Sequence, residues 1–176
     1  MSEAAYMGQM KDIILGREFL TWLWFKSEVD GADFTADDGQ PFTLHVENSI
    51  EVDGGEGDAK ESVKVKGLLA EMQEAKLGLA KGKQVSQMTI RFGMEPDQWT
   101  AGVRACDLSM SAFKTPRVDR DRGEDEDPDA AFLEKMYLVE KGISTLDSAY
   151  KAFLDIRFTP KWHEECARIR SWITED

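Results

Sequence analysis

The stretch from Phe19 to Phe25 (FLTWLWF) puts six large apolar side chains into seven residues, and no water-borne fold can leave it uncovered. It is far shorter than the roughly 20 residues needed to span a bilayer. The surrounding periodicity is helical: Met10, Ile13, Ile14, Leu20 and Trp24 fall on one stripe, which Phe19, Leu23 and Phe25 widen. Residues 1–28 therefore read as an amino-terminal helix that is apolar nearly all round. Such a helix packs either on other helices of its own chain or on a second molecule, so Phe19, Trp22, Trp24 and Phe25 become candidates for a partner interface.

Downstream the period changes from helical to alternating. Phe42, Leu44, Val46, then Ile50 and Val52, followed by Val63 and Val65, predict a β-hairpin with a glycine-rich acidic tip. Leu68 to Lys81 is dense in helix formers and is closed by Gly82. A second hairpin is predicted from Val85–Phe92 and Trp99–Cys106, turning through 93–97, and Thr115-Pro116 ends the unit. Pro128 then opens a long helix from about Asp129 to Arg157, with Phe132, Met136, Leu138, Val139, Ile143, Leu146, Tyr150, Phe153 and Leu154 at helical spacing. Pro160 starts a last short helix carrying Trp162, Cys166, Ile169, Trp172 and Ile173 on one side. The expected fold is α+β: a small antiparallel sheet of two β-hairpins around a central helix, flanked by an amino-terminal helix and a long carboxy-terminal helical pair. In a chain of 176 residues this is one domain, with a ββαββ unit at 41–117, an acidic linker at 118–128 and the last helices at 129–176.

Charge sharpens this division. The chain carries a formal charge of −12, which disfavours a protein that coats nucleic acid or an acidic membrane through a basic surface. Residues 28–62 hold 11 acids against 1 base, and 119–129 hold 7 acids against 2 bases, so two connecting segments account for more than the whole excess. Asp30–Gln40, Asp53–Asp58 and Asp119–Asp129 read as exposed loops. Residues 64–117 are mildly basic, with 9 bases against 5 acids, and Lys64, Lys66, Lys81, Lys83, Arg91 and Arg104 are the candidate contacts to nucleic acid. Lys64 and Lys66, two apart on a strand, share one face.

Four segments, Gly16–Glu28 (GREFLTWLWFKSE), Glu74–Val85 (EAKLGLAKGKQV), Lys114-Thr115-Pro116 and Asp127–Lys141 (DPDAAFLEKMYLVEK), taken in that order, resemble the carboxy-terminal region of RdgC-like, recombination-associated bacterial proteins. The similarity runs from about Leu15 to Ile173. What the resemblance implies is a nucleoid-associated protein that binds DNA without sequence specificity as a ring-shaped homodimer and restrains the recombinase RecA. The candidate basic residues come from the charge pattern, not from the resemblance.

Catalytic and metal chemistry finds little purchase. His45, Cys106, His163 and Cys166 equal one zinc set in number, but only His163 and Cys166 are close in sequence, and the cysteines read as small core residues. The acids after Asp119 miss the calcium-loop pattern, with Ala130 at the twelfth position. There is no phosphate-binding glycine motif and no nucleophile motif. Glu51 and Asp53 with Lys64 or Lys66 could form a magnesium nuclease site, or an ordinary charged hairpin. No cofactor is called for.

The expectation is a non-enzymatic RdgC-related module in DNA recombination or RecA control. It would bind duplex DNA weakly, or a protein partner or a second copy of itself. The alternative is an acidic inhibitor or DNA mimic, of phage type, whose acidic segments present carboxylates to a basic nucleic-acid-binding protein. With no export signal in MSEAAYMGQMKD, no membrane-spanning stretch and two distant cysteines, a cytoplasmic place is expected, nucleoid-associated if DNA is bound.

Overall fold

The computed structural model describes residues 14–54, 61–66, 69–118, 127 and 129–175. Helix α1 (Gly16–Val29) leads into strands β1 (Asp33–Thr35), β2 (Pro41–Gly54) and β3 (Glu61–Lys66). Helix α2 (Leu69–Ala80) follows, then β4 (Gln84–Met94), β5 (Asp97–Arg104) and β6 (Met110–Lys114), and finally α3 (Ala130–Arg157) and α4 (Lys161–Thr174). The class is α+β, as the alternating and helical periods predict. Residues 1–13 of the expected first helix, and most of the acidic stretches 53–58 and 119–129, lie outside the described residues.

The two hairpins merge into one antiparallel sheet because β2 pairs with β4 from Thr43↔Gly93 to Asp53↔Gln84. The other edge of β2 is shared, with β1 beside Pro41–Thr43 and β3 beside Ser49–Gly54. The order across the sheet is β1-β2-β4-β5-β6, with β3 next to β2. Between Val46↔Ile90 and Ile50↔Met88, β2 spends two more residues than β4, an even number that preserves its inward phase. β4 takes up one extra residue at Ser86, which is why its inward residues are Val85 and then Met88, Ile90 and Phe92.

Strand β1 corrects the reading of Asp30–Gln40 as an exposed loop, and β6 adds a strand beyond the two expected hairpins. A three-residue strand has room for one inward side chain, Phe34, and so shows no period. Phe34 is half-buried and stacks on Phe42 with ring centroids 5.4 Å apart. The second hairpin is also tighter than expected: the ladder continues to Met94↔Asp97, leaving a two-residue turn, and β5 ends at Arg104 before Cys106.

The core lies on one face of the sheet. Phe42, Leu44, Ile50 and Val52, then Val85, Met88, Ile90 and Phe92, then Trp99, Ala101 and Val103 are all buried there. α1 lies between this face and the last two helices, and Phe19, Trp22, Trp24 and Phe25 are each no more than 1% exposed. Phe19 meets Tyr150 and Phe153 of α3, while Trp24 meets Trp172 of α4 edge-on at 5.1 Å. At about 25 cal/mol per Å², each such ring, burying roughly 150–250 Å², contributes about 4–6 kcal/mol as an upper bound. These four side chains are thus internal to one chain, which corrects their assignment as a partner interface: α3 and α4 cover the surface that a second molecule would have needed to cover.

α3 reaches the sheet through Gly142, where any Cβ would come within 2.6–2.7 Å of Trp99 and Phe113. This close approach lets Trp99 donate its indole N–H to the Leu138 carbonyl at 2.8 Å. Farther toward its amino end α3 is uncovered: Phe132, Leu133, Met136 and Tyr137 are between 48% and 63% exposed. Among the described residues no helix is long and apolar enough to cross a membrane.

Candidate nucleic-acid interface

The helices stand on the apolar face, and the other face of the sheet is polar. Two rows of side chains cross it from strand to strand. One is Lys64↔Glu51↔Gln87↔Arg104, over β3, β2, β4 and β5. The other is His45↔Arg91↔Thr100↔Lys114, over β2, β4, β5 and β6. Between them lies a small uncharged row, Thr89↔Gly102↔Ser111. With a rise of about 3.3 Å per residue, the charged rows are about 13 Å apart, and with strands about 4.8 Å apart each row is roughly 14 Å long.

The face therefore presents Lys64, Arg91, Arg104 and Lys114, all exposed. Two carboxylates temper it: Arg91 Nε lies 2.8 Å from Glu47, and Lys64 Nζ lies 3.9 Å from Glu51. Both pairs are solvated, so each binds its cation weakly and yields it to a competing anion. Cations still outnumber acids on this surface.

Of the six basic residues picked from the sequence, Lys64, Arg91 and Arg104 come together here. The backbone of Lys66 pairs with Ser49 in β3, and its side chain lies outside what is described. Lys81 and Lys83 stand apart, in the turn between α2 and β4, where Lys83 packs along Gly54 at the end of β2. Charge pattern alone could not separate the two groups, because turn and strand lysines look alike until the register is known. Lys114, absent from that set, joins through β6, and a strand without a period gives no signal of its face.

The acidic segment Asp30–Gln40 is not a free loop. Asp30 receives Arg168 at 2.6 Å and Lys26 at 2.7 Å, and hydrogen bonding from Arg168 leads the effects that hold its carboxyl below the usual carboxylate range. Asp37 receives Lys151 at 2.7 Å. Asp53, buried, is ion-paired with Arg17 of α1. Asp30 joins α1 to α4, Asp37 joins the loop between β1 and β2 to α3, and Asp53 joins β2 to α1.

Asp53 therefore does not join Glu51 and Lys64 in the nuclease arrangement weighed from the sequence. Among the described residues no three His, Cys, Asp or Glu side chains come together to hold a metal. His45 and His163 are exposed, Cys106 is exposed rather than a core residue, and Cys166 is half-buried. Burial, ahead of the charges around it, pushes the Cys166 thiol up, so it stays protonated. Compared with known proteins, the chain matches no family model and no curated protein.

Proposed function

We propose that the chain is a non-enzymatic, RdgC-related module that works beside DNA in recombination or RecA control, and that it meets the duplex through the helix-free face of its sheet. The observation that carries this reading is the pair of cross-strand rows, which place Lys64, Arg91, Arg104 and Lys114 on one surface of an otherwise acidic protein. A surface of this size neutralises only a few phosphates, so binding is weak, insensitive to sequence and dependent on salt with a correspondingly modest slope. Support for the relationship is the order of the four resembling segments, which fall on α1, the second half of α2 with its turn into β4, the end of β6 and the first half of α3. A protein partner or a second copy finds apolar contact on the first turns of α3, not on α1. The DNA-mimic alternative loses Asp30 and Asp53 to ion pairs within the chain and rests chiefly on 119–129, outside most of what is described.

The test is fluorescence anisotropy with a labelled duplex over a salt series at low ionic strength. Reversing Arg91, Arg104 and Lys114 to Glu is expected to abolish binding, and each neutralised cation should flatten the slope of log K against log salt by about 0.9. Absence of binding at the lowest salt, or binding untouched by the triple reversal, overturns the reading.

A further inference from the structure

Helix α3 carries an apolar stripe that its own chain covers only in part. At the carboxyl end the stripe runs from Leu146 through Tyr150 to Phe153, and Phe19 of α1 packs on the last two with ring centroids 5.1 and 5.4 Å away. Toward the amino end it continues through Ile143, Val139, Met136 and Phe132. The spacings from Phe132 to Phe153 alternate between four and three residues without a break, the repeat that keeps one line of side chains against a neighbouring helix. Yet the amino half is bare among the described residues: Phe132 is 63% exposed, Met136 and Ile143 are 48% exposed, and Val139 is half-buried. This half of α3 is held at the margin of the sheet, against the last strand, by Gly142 at Phe113 and by Lys135, which donates to Thr115 at the end of β6. Tyr137, Lys141 and Ser144, on the flank opposite the stripe, face the loop between β1 and β2.

The pattern of the bare half names its partner. Its four residues fall 4, 3 and 4 apart, so they read the same in both directions. We infer that the occupant is a second copy of this chain, laid antiparallel about a two-fold axis that passes between Tyr137 and Leu138. Phe132 then meets the second copy's Ile143 and Met136 meets the second copy's Val139, each contact occurring twice. Glu140 comes beside the second copy's Leu133, so no like charges are brought together. The area suffices for a weak dimer. Scaled by their exposures, Phe132, Leu133, Met136 and Ile143 offer roughly 400 Å² of apolar surface per copy. Homodimer interfaces are about 65% apolar, so with its polar rim this surface buries about 1,200 Å² in all, the lower end of specific interfaces. The inference makes specific the second-copy contact named under the proposed function and stands apart from duplex binding, because the stripe shares no residue with the cationic rows.

The experiment is sedimentation equilibrium of the full chain without DNA, so that neither result bears on the duplex reading. The mass is expected to rise with concentration from 19.9 kDa toward twice that, with a dimer Kd of about 100 µM or below. Met136→Asp should raise that Kd at least tenfold, while Ser171→Asp, which adds the same charge on the exposed side of α4, leaves it unchanged. Met136→Gln serves where circular dichroism shows the aspartate variant unfolded. Register has its own readout: Phe132→Lys and Ile143→Glu should each weaken self-association, and mixing the two should restore it, because only the antiparallel pairing sets 132 opposite 143. A dimer indifferent to the Met136 substitutions, or no gain on mixing, overturns the inference. So does a chain that stays monomeric up to about 1 mM. In that case peroxide tells the alternatives apart: Met136 resists oxidation if its own chain covers the stripe and oxidises freely if nothing does.

Discussion

Trp22 of α1 donates its indole N–H to the carboxylate of Glu165 on α4, 3.0 Å away across 143 positions of sequence, in a site where both residues are buried. The same carboxylate receives Lys26 at 2.6 Å and Arg168 at 3.0 Å, and those two cations converge again on Asp30. Two acids and two bases thus close a ring beside the aromatic core. An isolated carboxylate would not be tolerated there, and a ring with every member paired is.

Acid should open this ring. Burial alone would raise the Glu165 carboxyl, but hydrogen bonds from Lys26 and Trp22 and the charges of Lys26 and Arg168 outweigh it and hold it below its ordinary range. Asp30 is lowered as well, chiefly by Arg168. A carboxylate depressed in the folded state stabilises fully above its unfolded value of about 4 and ceases to do so as pH falls through the folded value. The melting temperature should therefore be level from neutrality to roughly pH 5 and drop below about pH 4. Glu165→Gln should melt lower at pH 7 and converge on the parent in acid, as followed by thermal circular dichroism. A constant gap at all pH values would refute the role given to the ring.

Glu28 joins two other tryptophans, accepting Trp24 Nε1 at 2.7 Å and Trp172 Nε1 at 2.8 Å. Truncation by Glu28→Ala strips both indoles of their acceptor, at a cost of about 1–2 kcal/mol because the carboxylate lies at the solvent edge. Glu28→Gln, which keeps one carbonyl, should lose about half of that. Urea denaturation measures both, and the near-ultraviolet spectrum of the Trp24–Trp172 pair should change with Ala more than with Gln.

Gly142→Ala drives a methyl into Trp99 and Phe113 and threatens the Trp99–Leu138 hydrogen bond. Overpacking of this kind costs about 1–3 kcal/mol, whereas Ser144→Ala on the exposed side of the same helix should stay within about 0.5 kcal/mol. Chemical denaturation of the two variants separates a tight helix–sheet contact from mere helix propensity, since Ala favours the helix at both positions.

Lys81 offers a check on the basic face. It lies in the α2–β4 turn, outside both cross-strand rows. Lys81→Glu should weaken duplex binding much less than Arg104→Glu at the same salt, although the two change net charge equally. Equal losses would mean that overall charge, and not the sheet face, governs binding.

The amino-acid sequence by itself determined the α+β class, four helices with boundaries close to those observed from Gly16 onward, and the inward residues Phe42, Leu44, Ile50 and Val52 of the first hairpin. Those features rest on periods of 3.6 and 2, which need no knowledge of partners. It also required that Phe19–Phe25 be covered. Tertiary structure alone decided by what: α3 and α4, brought back over α1, where the sequence equally permitted a second copy. It decided the rows as well, because whether Lys64, Arg91, Arg104 and Lys114 share a surface depends on register across four pairings, while the α2–β4 turn sets Lys83 apart along Gly54. The acids of Asp30–Gln40 looked like a solvated loop for the same reason. Their cations, Arg168 and Lys151, lie more than a hundred residues away, and only the packed chain brings them within reach.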